Sequence, residues 1–278
     1  MILEWIQLII YALLIVIIAK YFLVKILRKL AQAIELSPKT VGNIAGIATS
    51  VPEFLTVSFS AFSGLMSASI YNIISSNVIN FVQYIISLFV SKNQSKLKNK
   101  AIATCLTLAI GTIIIPIIML NLNIEFSIKI VPIFILMFII FYYINIMMHR
   151  KFLKSDDEKL SEEISKESDV KNKTSILIKY SIYLLITSII LYIVGNALSG
   201  VLENLASVYK ISESILGILL GFITSIPELM TFFEAQKHHK EEDTKELGVV
   251  EATNNLFISN SLNLFIIQSI GIVINSIF

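Results

Sequence analysis

Thr49-Ser50-Val51-Pro52-Glu53 and Thr224-Ser225-Ile226-Pro227-Glu228 are two copies of one pentapeptide, each set inside a long apolar run. Each carries two hydroxyls, a proline and a carboxylate. A glutamate at bilayer depth is costly without a partner, so its default reading is functional. Two copies in equivalent surroundings make a duplicated site.

The surroundings are those of a membrane protein. Of the 278 residues, 55% are hydrophobic and only 15% charged, and the mean hydropathy is +0.79. Soluble domains carry nearer a quarter of charged residues. The net charge of +2 comes from residues spread over loops rather than gathered on one face, so no nucleic-acid partner is expected. The single cysteine, Cys105, excludes an internal disulfide and a cysteine-based metal motif, and reads as a small buried hydrophobe.

A helix crosses a bilayer in about 20 apolar residues. Eight runs qualify: 5–27, 40–62, 68–90, 101–120, 128–148, 176–198, 214–233 and 249–272. The expected fold class is therefore an all-α membrane protein with about eight transmembrane helices. The first run is not read as a signal peptide, because Glu4 precedes it and Lys25, Arg28 and Lys29 follow it. Lys20, inside that run, is expected to snorkel.

Basic residues cluster in alternate loops: Lys25 to Lys39, Lys92 to Lys100, Arg150 to Lys179, and Lys237 to Lys245. The opposite loops hold only Lys129 and Lys210. The positive-inside rule then places both termini outside. Residues 150–174 form a charged linker, read as a cytoplasmic tether. His238 and His239 are expected in a solvated loop, and Glu251 at a solvated helix start.

The repeat extends beyond the pentapeptides. Gly42, Gly46, Thr49, Ser50, Pro52 and Glu53 recur 175 positions later as Gly217, Gly221, Thr224, Ser225, Pro227 and Glu228. Asn72, Ser76, Asn77 and Asn80 recur 183 positions later as Asn255, Ser259, Asn260 and Asn263. Residues 1–149 form a first repeat of five spans, and 175–278 a second of three. An odd number of spans in the first half inverts the second. The expected architecture is an inverted-repeat secondary transporter bundle with its site where the copies meet.

The site chemistry follows from residue type. Thr49 and Glu53 share a helix face, as do Thr224 and Glu228. Pro52 and Pro227 disfavour regular helix just before them and free carbonyl oxygens. Asn72, Ser76 and Asn80 form a polar stripe, repeated by Asn255, Ser259 and Asn263. Every donor is a hard oxygen, which suits calcium or sodium and excludes a zinc or copper preference.

Thr-Ser-x-Pro-Glu followed by Asn-x-x-x-Ser-Asn-x-x-Asn, twice and inverted, resembles the alpha-repeats of the sodium/calcium exchangers in the calcium/cation antiporter superfamily. The resemblance covers spans one to three and six to eight. It implies ion ligands at Thr49, Ser50, Glu53, Ser76 and Asn80, and at Thr224, Ser225, Glu228, Ser259 and Asn263. It implies calcium export by alternating access, driven by inward sodium flow, with no tightly bound cofactor and no enzymatic activity. Spans one and six would be the gating helices. Asn263 stands where potassium-dependent relatives have Asp, so this chain resembles the potassium-independent kind.

The chain departs from the family in three ways. The glycine before Thr-Ser is Ala48 and Ile223, and the glycine before Ser-Asn is Ser75 and Ile258. Bulk there is expected to loosen helix contact or narrow the ion path. The family usually has two five-helix halves, so two peripheral helices are expected to be missing. A second polypeptide or a second copy of the chain is a candidate to supply them. Two rival functions stand beside the exchanger: a cation/proton antiporter of the same fold, and a truncated, non-transporting membrane partner. The Gly-Asn-x-x-Glu type motif of the proton-coupled relatives is absent.

Overall fold

The computed structural model describes residues 2–18, 21, 22, 25, 26, 30, 47, 49–152, 173–238 and 245–278. Lys20, Gly42, Gly46, Ala48, His239 and most of the 150–174 linker lie outside the described residues. All regular structure among the described residues is helical. The helices are α1 (Ile2–Ile18), α2 (Val51–Phe62), α3 (Met66–Val90), α4 (Lys100–Asn121) and α5 (Val131–Phe152). They continue with α6 (Lys173–Glu203), α7 (Glu213–Thr224), α8 (Ile226–His238), α9 (Lys245–Ser261) and α10 (Gln268–Ile277).

Six segments are long and apolar enough to cross a membrane: Met66–Val90, Lys100–Asn121, Ile128–Lys151, Leu177–Val208, Glu213–Gln236 and Gly248–Ile277. Ile2–Ile18 and Val51–Phe62 are shorter apolar helices; they are the described parts of the first two expected runs. Local chemistry sets several ends. Asn99 caps α4, its side chain accepting from Ala101 N at 2.8 Å. The sixth run outlasts its expected end at residue 198: α6 has 31 residues, about 46 Å of helix. A π-helical turn, Asn204–Val208, follows it.

Beside the turn at Ser50 in the second run, two more expected single helices are broken. The seventh run bends at Ser225, between α7 and α8. Pro227 has no N–H to offer the carbonyl four residues back, so the ladder stops there. The eighth run carries a π-helical turn, Leu262–Ile267, between α9 and α10. No proline marks that second break, and only the structure reveals it. Glu251 is not at a helix start: α9 begins at Lys245, and Glu251 sits in its second turn, half-buried.

Contacts along α3 and α9 establish the inversion. Ser69 meets Gln268 just past α9, Asn77 meets Asn260, and Tyr84 meets Thr253. Advancing along α3 means retreating along α9, so these equivalent helices run antiparallel. The bundle is an inverted-repeat one, as expected.

Around this polar pair lie apolar layers. α1 packs on α6 and α7, with Leu8, Ala12, Ile15 and Val16 buried in one cluster with Leu191, Leu198 and Leu202 of α6 and Leu216 of α7. α4 and α5 pack on the other flank, where Phe134 and Phe141 stack edge-on against Phe265. Large side chains such as Ile139, Leu185 and Tyr192 remain exposed on α5 and α6, as expected of surfaces facing lipid.

The tightest approach is α7 on α3. A Cβ at Gly217 would fall on the carbonyl oxygen of Ala68, and one at Gly221 on Ser75 Oγ. This corrects the expectation that Ser75 loosens helix contact. Its hydroxyl donates to Asn72 O at 3.1 Å and lies flat against α3, while Gly221 supplies the missing room. Ile258 is likewise accommodated, in an apolar cluster with Cys105 and Phe257. Gly221→Val should destabilise the protein by at least about 1–3 kcal/mol, read by unfolding in detergent, because neither backbone can retreat.

Candidate ion-binding site

The breaks at the two pentapeptides bring them to the centre of the bundle. Thr49 ends one helical segment, Ser50 is a turn, and α2 starts at Val51 with Pro52 in its first turn. The second copy repeats this at Thr224, Ser225 and Ile226. Glu53 and Glu228 therefore sit in the first turns of α2 and α8, where a helix N-terminus favours negative charge. Both are fully buried, at 0% exposure.

All ten sequence-predicted site residues are buried, and all lie in this central region. Ser50 Oγ donates to Ser259 Oγ at 3.0 Å, and Ser259 Oγ donates to Glu228 Oε1 at 3.1 Å. Thr49 Oγ1 donates to Asn255 Oδ1 at 3.5 Å. Asn80 Nδ2 donates to Ser259 Oγ at 3.5 Å, and Asn263 Nδ2 to Ser76 Oγ at 3.4 Å. Ser225 Oγ donates to Ser76 O at 3.4 Å and Gly221 O at 2.7 Å. Glu53 and Glu228 are close enough to interact electrostatically, and Thr224 sits beside Glu53. The constellation joins both repeats and comes from four separate stretches of chain.

Six residues outside the predicted set hold it in shape. Asn72 Nδ2 donates to Thr56 Oγ1 at 2.6 Å, and Thr56 Oγ1 donates to Glu53 O at 3.1 Å. The second repeat matches: Asn255 Nδ2 reaches Thr231 Oγ1 at 2.5 Å, and Thr231 Oγ1 reaches Glu228 O at 2.9 Å. Asn77 Nδ2 donates to Asn260 O at 3.0 Å, and Asn260 Nδ2 returns the bond to Asn77 O at 3.1 Å. Asn80 Nδ2 and Asn263 Nδ2 each reach the amide oxygen of the opposite pair member, Asn260 and Asn77, at 3.1 Å. This is a twofold arrangement centred between Asn77 and Asn260. Thr56 and Thr231 are also 175 positions apart, so the repeat offset in the sequence already relates them.

The symmetry fails at the carboxylates. Glu228 Oε1 accepts from Ser259, whereas neither oxygen of Glu53 has a hydrogen-bond partner. Ser76, the counterpart of Ser259, turns instead to Ile73 O at 3.2 Å. Glu228 Oε2, Thr224 Oγ1, Asn80 Oδ1 and Asn263 Oδ1 are also buried without partners. Buried acceptors are normally satisfied, so this concentration of unpartnered oxygens makes the centre a candidate cation site. Among the described residues no group of three His, Cys, Asp or Glu gathers. The donors are two carboxylates and neutral oxygens, a hard set that fits calcium or sodium.

Fold and site together define a membrane protein of inverted repeats around an acidic, oxygen-lined centre. A family model described as sodium/calcium exchanger protein matches residues 4–148 and 179–278, and the chain belongs to that family. It is an integral membrane protein of a cation-exchanging transporter family. No match was found among curated proteins or solved structures.

Asn77→Ala and Asn260→Ala each remove one of the two reciprocal amide-to-backbone bonds and leave the other residue's backbone carbonyl without that donor. Their effects on unfolding free energy in detergent should be non-additive, with a coupling of about 0.6–1.7 kcal/mol in a double-mutant cycle. Additive effects would mean the two amides act independently.

Proposed function

We propose that this protein is a sodium/calcium antiporter, exporting calcium by alternating access as sodium flows inward. Membership of the exchanger family supports cation exchange as the activity. The observation that carries the choice of ion is the pair of fully buried glutamates with orphaned oxygens. Two ionised carboxylates carry a charge of minus two, which one calcium ion or a set of sodium ions neutralises. The proposed ligands are Thr49, Ser50, Glu53, Ser76 and Asn80 with Thr224, Ser225, Glu228, Ser259 and Asn263. Glu53 and Glu228 would be shared by both ions, which makes their occupation mutually exclusive and couples the two flows.

In this reading α1 and α6 slide across the rest of the bundle. Leu8, Ile15, Leu198 and Leu202 pack these two helices on each other, and sliding would have to break the contact of Ser199 Oγ on α6 with Ser63 Oγ, 2.6 Å apart. The positive-inside pattern supports both termini facing outside. The division into a first repeat (1–149), a cytoplasmic linker (150–174) and an inverted second repeat (175–278) belongs to the same proposal.

The test is calcium flux in proteoliposomes under an imposed sodium gradient. Wild-type protein should move calcium against the sodium flow. Glu53→Gln should lose about 2–5 kcal/mol of calcium affinity, because it removes a buried charge from a charge-paired site. Flux driven by a pH gradient and indifferent to sodium would establish the proton-coupled reading. Calcium binding with no flux under either gradient would establish a non-transporting partner.

A further inference from the structure

A second buried polar cluster lies away from the carboxylates, where α4 and α5 meet α9. Cys105 on α4 donates its thiol proton to Asn145 Oδ1 on α5, with Sγ and Oδ1 2.9 Å apart. Its sulfur lies 3.8 Å from His149 Nε2, also on α5, and 3.7 Å from Asn254 Oδ1 on α9. Asn145 Nδ2 donates to Asn254 Oδ1 at 3.3 Å. All four side chains are buried, none above 2% exposure. Cys105 is therefore more than the inert hydrophobe its apolar neighbours suggest. Three helices deliver a thiol, an imidazole and two amide oxygens to one point.

As a purely structural knot the cluster is incomplete. Asn254 Oδ1 accepts from Asn145 Nδ2 and lies 3.7 Å from the sulfur, while Asn254 Nδ2, fully buried, has no partner. Buried networks kept for stability are normally satisfied throughout. The donor types are also unlike the transport site: sulfur and nitrogen are soft or borderline ligands, which discriminate against calcium and favour thiophilic ions.

We propose that Cys105, His149, Asn145 and Asn254 form a binding site for a thiophilic divalent cation of the zinc–cadmium class. An ion about 2.3 Å from sulfur and 2.0–2.1 Å from nitrogen bridges a 3.8 Å gap at an angle near 120°, close to tetrahedral. Asn254 Oδ1 already stands at the spacing of a third ligand. Asn145 Oδ1 must retreat by roughly half an ångström, which breaks its thiol hydrogen bond as the thiol gives its proton to solvent. The ion takes the resulting thiolate and the neutral imidazole nitrogen. Access is short, since Cys105 lies five residues into α4 and His149 three residues before the end of α5, roughly 5–8 Å from each helix end. A bound ion would tie α4 and α5 to α9, the helix that bears Asn255 and Ser259.

Cadmium titration of the whole protein in detergent, with calcium in excess to fill the transport site, tests this directly. The chain has one cysteine, so any ultraviolet sulfur-to-cadmium charge-transfer band reports Cys105. The expected result is a band saturating at one cadmium per chain, absent in Cys105→Ser. His149→Ala should weaken cadmium binding at least about tenfold, and Asn254→Ala should weaken it measurably. Thermal unfolding of each variant, with calcium alone, identifies any that fail to fold; His149→Gln, which keeps a polar group, then replaces the failed one. No band in folded wild-type protein, or a band indifferent to His149 and Asn254, would overturn the site. Neither readout depends on transport, so failure here leaves the exchanger reading standing, and the converse holds.

Discussion

Two carboxylates buried at bilayer depth, facing one another, constrain everything around them. An ionised glutamate there must be neutralised by something bound, because solvent cannot do it. Glu53 has neutral polar neighbours, Thr224 among them, and Glu228 accepts from Ser259 with Thr49 beside it. The rest of the site is oxygen that cannot carry a positive charge. Such a centre is stable only in company with a cation or a proton.

Holding two like charges together requires a rigid frame that adds no charge. Asn77 and Asn260 provide it. Each amide donates to the other's backbone and accepts from Asn263 or Asn80, so four asparagines lock two antiparallel helices at their crossing. A second frame runs through Asn72–Thr56 and Asn255–Thr231, which hold the carbonyls of Glu53 and Glu228. Glycine completes it: at Gly217 and Gly221 α7 lies directly on the backbone of α3, leaving room for Ser75 where a larger partner would force the helices apart.

Outside this frame the chemistry changes. The α1–α6 interface is aliphatic, and the α4–α5 flank is aromatic save for the Cys105 cluster. Directional bonds are concentrated around the candidate site, although Ser199 on α6 also meets Ser63 just past α2. The twofold relation breaks at Ser76 and Ser259, whose hydroxyls go to Ile73 O and Glu228 Oε1 respectively.

Composition and repetition alone determined the all-α membrane class, most of the spans and the duplicated polar motif, whose resemblance pointed to the family. They could, because hydrophobic length and a duplicated motif are local signals that survive without coordinates. Tertiary structure decided what depends on contact between distant residues. It showed that Asn77 and Asn260 bond reciprocally, that Thr56 and Thr231 brace the glutamate backbones, and that Ser75 fits because Gly221 faces it. It placed the π-helical turn at Asn263, where no proline announces a break. It gathered Cys105 and His149 from different helices, where an apolar run had hidden one and a basic helix end the other. The physical reason is the same in each case: a side chain's character is written in the sequence, but its partner is chosen by how helices cross.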